Sequence, residues 1–172
     1  SRGMDAVELT AITVEYMLRE NYSGDDILNF LTQESKYYKR DVDKSFTGIY
    51  GLFNEEYLDG IGWEPEKDYV PQDREWYKAA VAANGEPAFV QPYLDAQTGT
   101  IMVSISQLLE DKESVISLDI ELGTLQEETE AIKLNGHGYG FVCDKTGLVV
   151  THSNNKSIGR DYSKGEMAPV YN

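Results

Sequence analysis

The first part of the chain carries apolar residues at every third or fourth position, which is the pattern of an amphipathic helix. The positions that form this series are Met4, Val7, Ala11, Val14, Met17 and Leu18. We therefore predict a helix over residues 4–18. Ser23 followed three residues later by Asp26 has the form of a capping box, which predicts the start of a second helix. This second helix should end in the polar run before residue 43.

After residue 45 the pattern changes to short runs of aromatic and β-branched residues separated by polar turns. These runs predict strands at residues 46–53, 57–63, 87–94, 100–109, 114–120, 139–143 and 148–152. A short helix should interrupt them after Asp73, which we expect to cap it, and helical spacing returns over residues 122–132. Hairpins dominate and no β–α–β alternation is present, so we predict an α+β protein with a largely antiparallel sheet and helices packed against it.

The composition indicates one folded domain with an acidic surface. The 172 residues are 41% hydrophobic, and 15 Lys and Arg against 30 Asp and Glu give a formal charge of −15. Such a surface repels phosphate backbones, so no nucleic-acid partner is expected. No apolar run approaches the ~18–20 residues of a membrane span, and no signal peptide is visible. We expect the chain to be an excised piece of a longer protein.

The sequence lacks the residue sets of common catalytic and metal sites. Its single cysteine, Cys143, excludes an internal disulfide and a cysteine-based zinc site. The two histidines, His137 and His152, lie near no serine or cysteine nucleophile in a known pattern. Alternate polar residues around Asp43 imitate a calcium loop, but Phe46 occupies the position that needs glycine. We therefore expect no catalysis, no metal and no cofactor.

Charged and aromatic residues that suit a small dipolar ligand are concentrated in the segment 69–119. The candidates are Tyr69, Arg74, Trp76, Tyr77, Tyr93, Asp95 and Asp119. A guanidinium beside an indole is a good receiver for a carboxylate, because both groups present N–H donors in a fixed geometry. The two aspartates could then face an ammonium group. The alternative is that Trp76 and Tyr77 form the core face of a helix and Arg74 makes a surface ion pair.

The same residues resemble a Cache sensor domain, and more narrowly the membrane-distal module of double Cache domains. The motifs that carry the resemblance are Tyr69-x4-Arg74-x-Trp76-Tyr77-x2-Ala80, Pro92-Tyr93-x-Asp95, Ile116-x2-Asp119-Ile120-x-Leu122-x2-Leu125 and Gly138-Tyr139-Gly140-Phe141-Val142-x-Asp144-x2-Gly147-x-Val149-x2-His152. They extend over about residues 46–161. The resemblance implies a PAS-like antiparallel β-sheet flanked by helices, with a long N-terminal helix. It also implies three regions: an N-terminal helical region 1–44, a ligand-binding module 45–165 and a truncated tail 166–172.

One subgroup of this family binds free amino acids, and every candidate residue type agrees with its motif. By resemblance, Arg74 and Trp76 would take the ligand carboxylate, whereas Tyr93, Asp95 and Asp119 would take the α-ammonium group. Tyr69 and Tyr77 would line or support the pocket.

The resemblance also implies an extracytoplasmic location in a bacterial transmembrane receptor of the chemoreceptor, histidine kinase or diguanylate cyclase type. The membrane would be reached only through flanking transmembrane helices, and a homodimer could form through the N-terminal helix. Two alternatives remain open. The pocket could take another small ligand, such as a carboxylate, an amine or a purine, or the domain could be a dimerisation module with a vestigial pocket.

Overall fold

The computed structural model describes residues 2–94, 100–122, 141–143 and 149–152. The chain divides into two compact units. One consists of Ser1–Val90 with Ser104–Ile120, and the other of Gln91–Val103 with Glu121–Asn172. The division into regions 1–44, 45–165 and 166–172 stays a prediction. None of the helices that the structure describes has both the length and the apolar character needed to span a membrane.

Two helices open the chain, as the periodicity predicts. Helix α1 covers Arg2–Arg19 and helix α2 covers Gly24–Tyr37. The predicted capping box is confirmed, since the Ser23 side chain accepts from the Asp26 N–H and the Asp26 side chain accepts from the Ser23 N–H. A π-helical turn, Tyr38–Val42, then leads to the sheet.

The main sheet has five strands in the order β2-β1-β5-β4-β3. Its strands are β1 Phe46–Phe53, β2 Glu56–Asp59, β3 Ala88–Leu94, β4 Ile101–Leu108 and β5 Val115–Glu121. The central strand pairs, β1 with β2 and β1 with β5, are antiparallel. A separate antiparallel pair consists of β6, Phe141–Cys143, and β7, Val149–His152. A described strand overlaps each predicted strand, and the predicted α+β class is confirmed.

Two predicted boundaries are wrong. The second strand ends at Asp59 instead of residue 63, because the Asp59 carboxylate accepts the Ile61 N–H at 2.9 Å and the chain turns. Helix α3 covers Glu75–Ala83 and its N-cap is Arg74, not Asp73. Asp73 instead ends a short 3-10 turn that begins at Pro71, and no side chain caps α3. Proline fixes a backbone angle suited to such a turn, which moves the helix start forward.

Alternation along β5 divides the first unit into two layers on opposite faces of its strands. On one face, Gly3 lets α1 approach the side chains of Ile105 and Ile120 closely. On the other face, Trp76 and Ala80 of α3 pack against strand residues. This second core consists of Tyr50, Leu52, Trp76, Ala80, Val90, Leu108 and Val115. Trp76 and Asp119, two of the candidate residues, lie on this second face.

The predicted helix over residues 122–132 lies outside the described residues except for Leu122.

Candidate functional site

Asp119 lies on β5, and its side chain points to the face covered by α3. Its Oδ1 accepts the hydroxyl of Tyr50 at 2.8 Å and the hydroxyl of Ser104 at 2.6 Å. Tyr50 in turn accepts the hydroxyl of Ser117 at 3.2 Å. This half-buried carboxylate is held by neutral donors on strands β1 and β4, so its position is set by the sheet.

Aromatic rings form a continuous cluster over this face. The cluster consists of Tyr50, Tyr57, Trp63, Tyr69, Trp76 and Tyr77. Trp76 meets Tyr50 edge-on with centroids 5.2 Å apart. Tyr57 lies at its centre, with ring centroids 5.5 Å from Tyr69 and 5.8 Å from Trp63. Edge-to-face geometry at such distances is a stable arrangement that also fixes the orientation of each ring.

Arg74 lies at the other end of the aromatic cluster. Its guanidinium carbon is 5.4 Å from the centroid of the Tyr69 ring, which is a cation–π distance. Tyr69 accepts the indole N–H of Trp76 at 3.1 Å. Direct contacts therefore run from Arg74 through Tyr69, Trp76 and Tyr50 to Asp119. The structure brings a cation and an anion to the two ends of one aromatic surface.

Five of the predicted site residues are thus connected by contacts with one another or through Tyr50. Tyr77 packs its ring on Trp76 and donates its hydroxyl to the carbonyl of Glu113 at 2.9 Å, which suits a supporting residue. Tyr93 lies on β3 in the second unit and is 40% exposed. Asp95 lies outside the described residues.

A cavity of about 340 Å³ opens beside Arg74. Trp63, Tyr69 and Arg74 form part of its wall, together with the acidic side chains of Glu66, Asp68 and Asp73. Arg74 is exposed to this cavity, so its guanidinium is accessible to a small ligand.

Sequence reasoning missed the residues that come from β1 and β2. Tyr50, Tyr57 and Asp59 precede the segment 69–119 and reach the site only because β1 pairs with β5 and β2 pairs with β1. Burial raises the pKa of Tyr57, and the neighbouring Asp59 raises it further. Alternation places Tyr57 and Asp59 on one strand face, but only the strand order brings that face to the site.

The calcium-loop pattern has a structural explanation. Asp43 accepts the N–H of Ser45 at 2.9 Å and the Ser45 hydroxyl at 2.6 Å, which is a local turn before β1. Within the described part of the chain, no group of His, Cys, Asp or Glu could hold a metal ion. His137 lies outside the described residues.

Residues 11–127, more than half of the 172-residue chain, match the family model for the first PDC sensor domain of methyl-accepting chemotaxis protein-like receptors. The chain belongs to this family. The match includes α2, the five-stranded sheet, α3 and all the candidate binding residues.

Relatives of this sensor domain include chemotaxis proteins of Bacillus subtilis. The methyl-accepting chemotaxis protein McpB is 31% identical over 131 residues, which is 76% of this chain and 20% of that protein. The chemotaxis protein TlpB is 37% identical over 86 residues, or 50% of this chain and 13% of that protein. The sensor domain therefore spans about a fifth or less of the curated relatives that it matches.

Solved structures with the same fold include ligand-binding domains of Pseudomonas chemoreceptors. The domain of CtaA from Pseudomonas fluorescens, in complex with L-valine, has a TM-score of 0.71 at 21% identity and covers 97% of this chain and 71% of that one. The domain of PctB from Pseudomonas aeruginosa, in complex with L-Arg, has a TM-score of 0.73 at 19% identity, covering 93% and 65%. With the family match, these likenesses confirm the Cache sensor domain and its PAS-like fold.

Proposed function

We propose that this chain is the extracytoplasmic sensor domain of a bacterial transmembrane chemoreceptor and binds a free amino acid through its carboxylate and ammonium groups. The observation that carries the proposal is the series of contacts that links Arg74 to Asp119 through Tyr69, Trp76 and Tyr50. An α-amino acid has the matching pair of charges. The domain itself would bind without catalysing a reaction.

The two ends of the ligand would be recognised differently. Arg74 offers a planar fork of donors to the carboxylate, and its contact with the Tyr69 ring limits the orientations of the guanidinium. Asp119 offers a carboxylate that the hydroxyls of Tyr50 and Ser104 hold in place, and the ammonium group of the ligand would bind to it. Tyr93 and Asp95 are assigned to the ammonium group by the family resemblance alone. The aromatic cluster would exclude water from the bound ligand.

The Trp76 indole places a condition on this proposal. Its N–H donates to the Tyr69 hydroxyl, whereas the family resemblance predicts that this N–H donates to the ligand carboxylate. Either Tyr69 gives up this bond when ligand binds, or Trp76 acts by orienting Tyr69 beneath Arg74. In both cases Trp76 and Tyr69 act together.

Similar proteins support the ligand class and the receptor type. The solved neighbours were crystallised with L-valine and L-Arg, and the curated relatives are methyl-accepting chemotaxis proteins. Signalling would follow by population shift, in which a ligand stabilises one arrangement of the domain and α1 carries the change toward the membrane.

A ligand screen tests the proposal. Thermal shift and calorimetry on the 172-residue chain should find at least one L-amino acid that binds, while its N-acetyl and carboxamide derivatives do not. At ~100 times its dissociation constant, the ligand should add about 2.7 kcal/mol to the free energy of unfolding. Equal stabilisation by carboxylates that lack an amine, by amines or by purines would favour the alternative ligand. No response to any compound would favour the dimerisation module.

We also propose that the domain forms a homodimer through α1. Leu9, Ile12 and Tyr16 are 61%, 65% and 51% exposed, and their spacing places them on one face of the helix. A contiguous apolar surface of this kind is typical of an interface.

A lysine on this face should disrupt the dimer. Light scattering after gel filtration should give a dimer for the wild type and a monomer for Ile12→Lys, because a charge would be buried without a partner. Gln33→Lys introduces the same charge at an exposed position on α2 and should remain dimeric. A dimeric Ile12→Lys variant would show that α1 is not the interface.

A further inference from the structure

Asp59 is a buried carboxylate at the end of β2, only 8% exposed. Its Oδ2 accepts the hydroxyl of Tyr57 at 2.8 Å and its Oδ1 accepts the backbone N–H of Ile61 at 2.9 Å. The backbone N–H of Trp63 also faces this carboxylate and lowers its pKa. In the part of the chain that the structure describes, Asp59 forms no ion pair. A buried anion held only by neutral donors costs free energy, so its retention calls for an explanation.

The groups that hydrogen-bond Asp59, the Tyr57 hydroxyl and the turn after β2, belong to no candidate motif. Tyr57 packs against Tyr50, Trp63, Tyr69 and Trp76, so fixing its hydroxyl fixes the ring at the centre of the cluster. The N–H groups of Ile61 and Trp63 belong to the turn that follows β2. Asp59 therefore connects the turn after β2 to Tyr57 through hydrogen bonds at one side of the cluster.

The turn matters because of where it places Trp63. The Trp63 ring meets Tyr69 edge-on with centroids 5.3 Å apart, and Arg74 lies over the Tyr69 ring. Trp63 also lines the 340 Å³ cavity beside Arg74. Contacts thus run from Asp59 through Tyr57 to Trp63, and from Trp63 through Tyr69 to the guanidinium of Arg74.

We infer that Asp59 is a positioning residue of the ligand site, which fixes Tyr57 and the Trp63 turn and thereby orients Tyr69 beneath Arg74. The inference rests on the proposed function, in which Arg74 receives the ligand carboxylate. Asp59 would act through the aromatic cluster and not by contact with the ligand, because it is 8% exposed and its oxygens accept from this chain's own donors. Its contribution is to hold the aromatic cluster in the geometry that ligand binding requires.

The negative charge of Asp59 is part of this role. A carboxylate accepts on both oxygens, whereas an asparagine accepts on one and presents an NH₂ group to the remaining donor. Asp59→Asn is therefore nearly the same size but leaves either the Tyr57 hydroxyl or the turn N–H groups without an acceptor. Burial raises the pKa of Asp59, although hydrogen bonds from Ile61, Tyr57 and Trp63 lower it in part.

The two tryptophans of the chain permit a direct test. The chain labelled with 5-fluorotryptophan should give one ¹⁹F resonance for Trp63 and one for Trp76, assigned with Trp63→Phe. In Asp59→Asn the Trp63 resonance should shift or broaden while the Trp76 resonance changes less. The dissociation constant for the best amino acid of the screen should rise about tenfold, which corresponds to roughly one hydrogen bond's net contribution.

Asp43→Asn is the matched control. Asp43 also holds a turn through two hydrogen bonds, but this turn precedes β1 and its partner is Ser45. The control should lower the melting temperature without changing either ¹⁹F resonance or the dissociation constant. Tyr57→Phe removes one donor and leaves the turn contacts, so it should weaken binding less than Asp59→Asn does.

The inference is overturned if Asp59→Asn leaves the Trp63 resonance and the dissociation constant unchanged. It is also overturned if Asp43→Asn changes both to the same extent, since a general loss of stability would then explain the result. If the wild type binds no amino acid, the proposed function fails. The ¹⁹F comparison then decides separately whether Asp59 positions Trp63.

Discussion

Arg74→Ala should abolish ligand-induced stabilisation of the domain while leaving its fold intact. Arg74 is exposed at the start of α3 and its side chain does not cap the helix, so its removal costs little stability. Its loss should remove two charge-assisted hydrogen bonds to the ligand, about 3 kcal/mol or more. The dissociation constant should therefore rise at least ~100-fold by calorimetry.

Asp119→Ala should have the same effect on binding from the other end of the ligand. This variant also leaves the hydroxyls of Tyr50 and Ser104 without their acceptor, so it should lower the melting temperature as well. Asp119→Asn keeps an acceptor for these hydroxyls and removes the charge, which separates the two effects. Its loss of affinity should approach that of Asp119→Ala with a smaller loss of stability.

Lys78→Ala is the control for charge removal on α3. Lys78 is exposed one turn beyond Arg74 and its ion-pair partner is Glu75 at 3.7 Å. A surface pair of this kind contributes little, and the variant should bind as the wild type does. Unchanged binding in both Arg74→Ala and Asp119→Ala would refute the assignment of the pocket.

Local patterns predicted most elements of this fold because they depend on neighbours in sequence. The aromatic and β-branched residues 46–53 form β1 over the predicted range, and the Ser23–Asp26 capping box starts α2 where expected. The start of α3 was predicted at the wrong residue because Asp73 satisfies the pattern of an N-cap, yet Pro71 draws it into a 3-10 turn. Two local signals, an N-cap residue and a proline turn, compete at this boundary. The sequence pattern alone does not show which of the two is stronger.

The candidate site could be predicted only in part, since it depends on strand order. Tyr69, Arg74 and Trp76 fall within one segment and are visible as a motif. The hydroxyl that holds Asp119 comes from Tyr50, 69 positions earlier, and it reaches Asp119 because β1 pairs with β5. Sheet order β2-β1-β5-β4-β3 is a tertiary property, so Tyr50 and Asp59 could not be linked to the site beforehand.

Trp76→Ala should destabilise the domain more than any other single substitution considered. Trp76 is 7% exposed and packs with Tyr50, Leu52 and Val115 in the core beneath α3. Truncation to alanine leaves a large cavity that the surrounding strands can fill only in part, at a cost of about 3–5 kcal/mol. Urea unfolding followed by circular dichroism should show this as a lower midpoint with little change in slope.

Two further variants separate the roles that Trp76 combines. Trp76→Phe keeps an aromatic ring in the core but removes the N–H that Tyr69 accepts, so it should cost less stability than Trp76→Ala and still weaken amino-acid binding. Trp63→Ala deletes the same side chain at a position that is 38% exposed, where the cavity penalty is smaller. Equal destabilisation by Trp63→Ala and Trp76→Ala would contradict a core built around Trp76. Arg74 lies directly before α3, and Trp76 holds this helix against the sheet. Trp76 therefore also fixes the position at which the guanidinium of Arg74 would bind the ligand. The stability of the domain and the recognition of its ligand thus depend on the same indole.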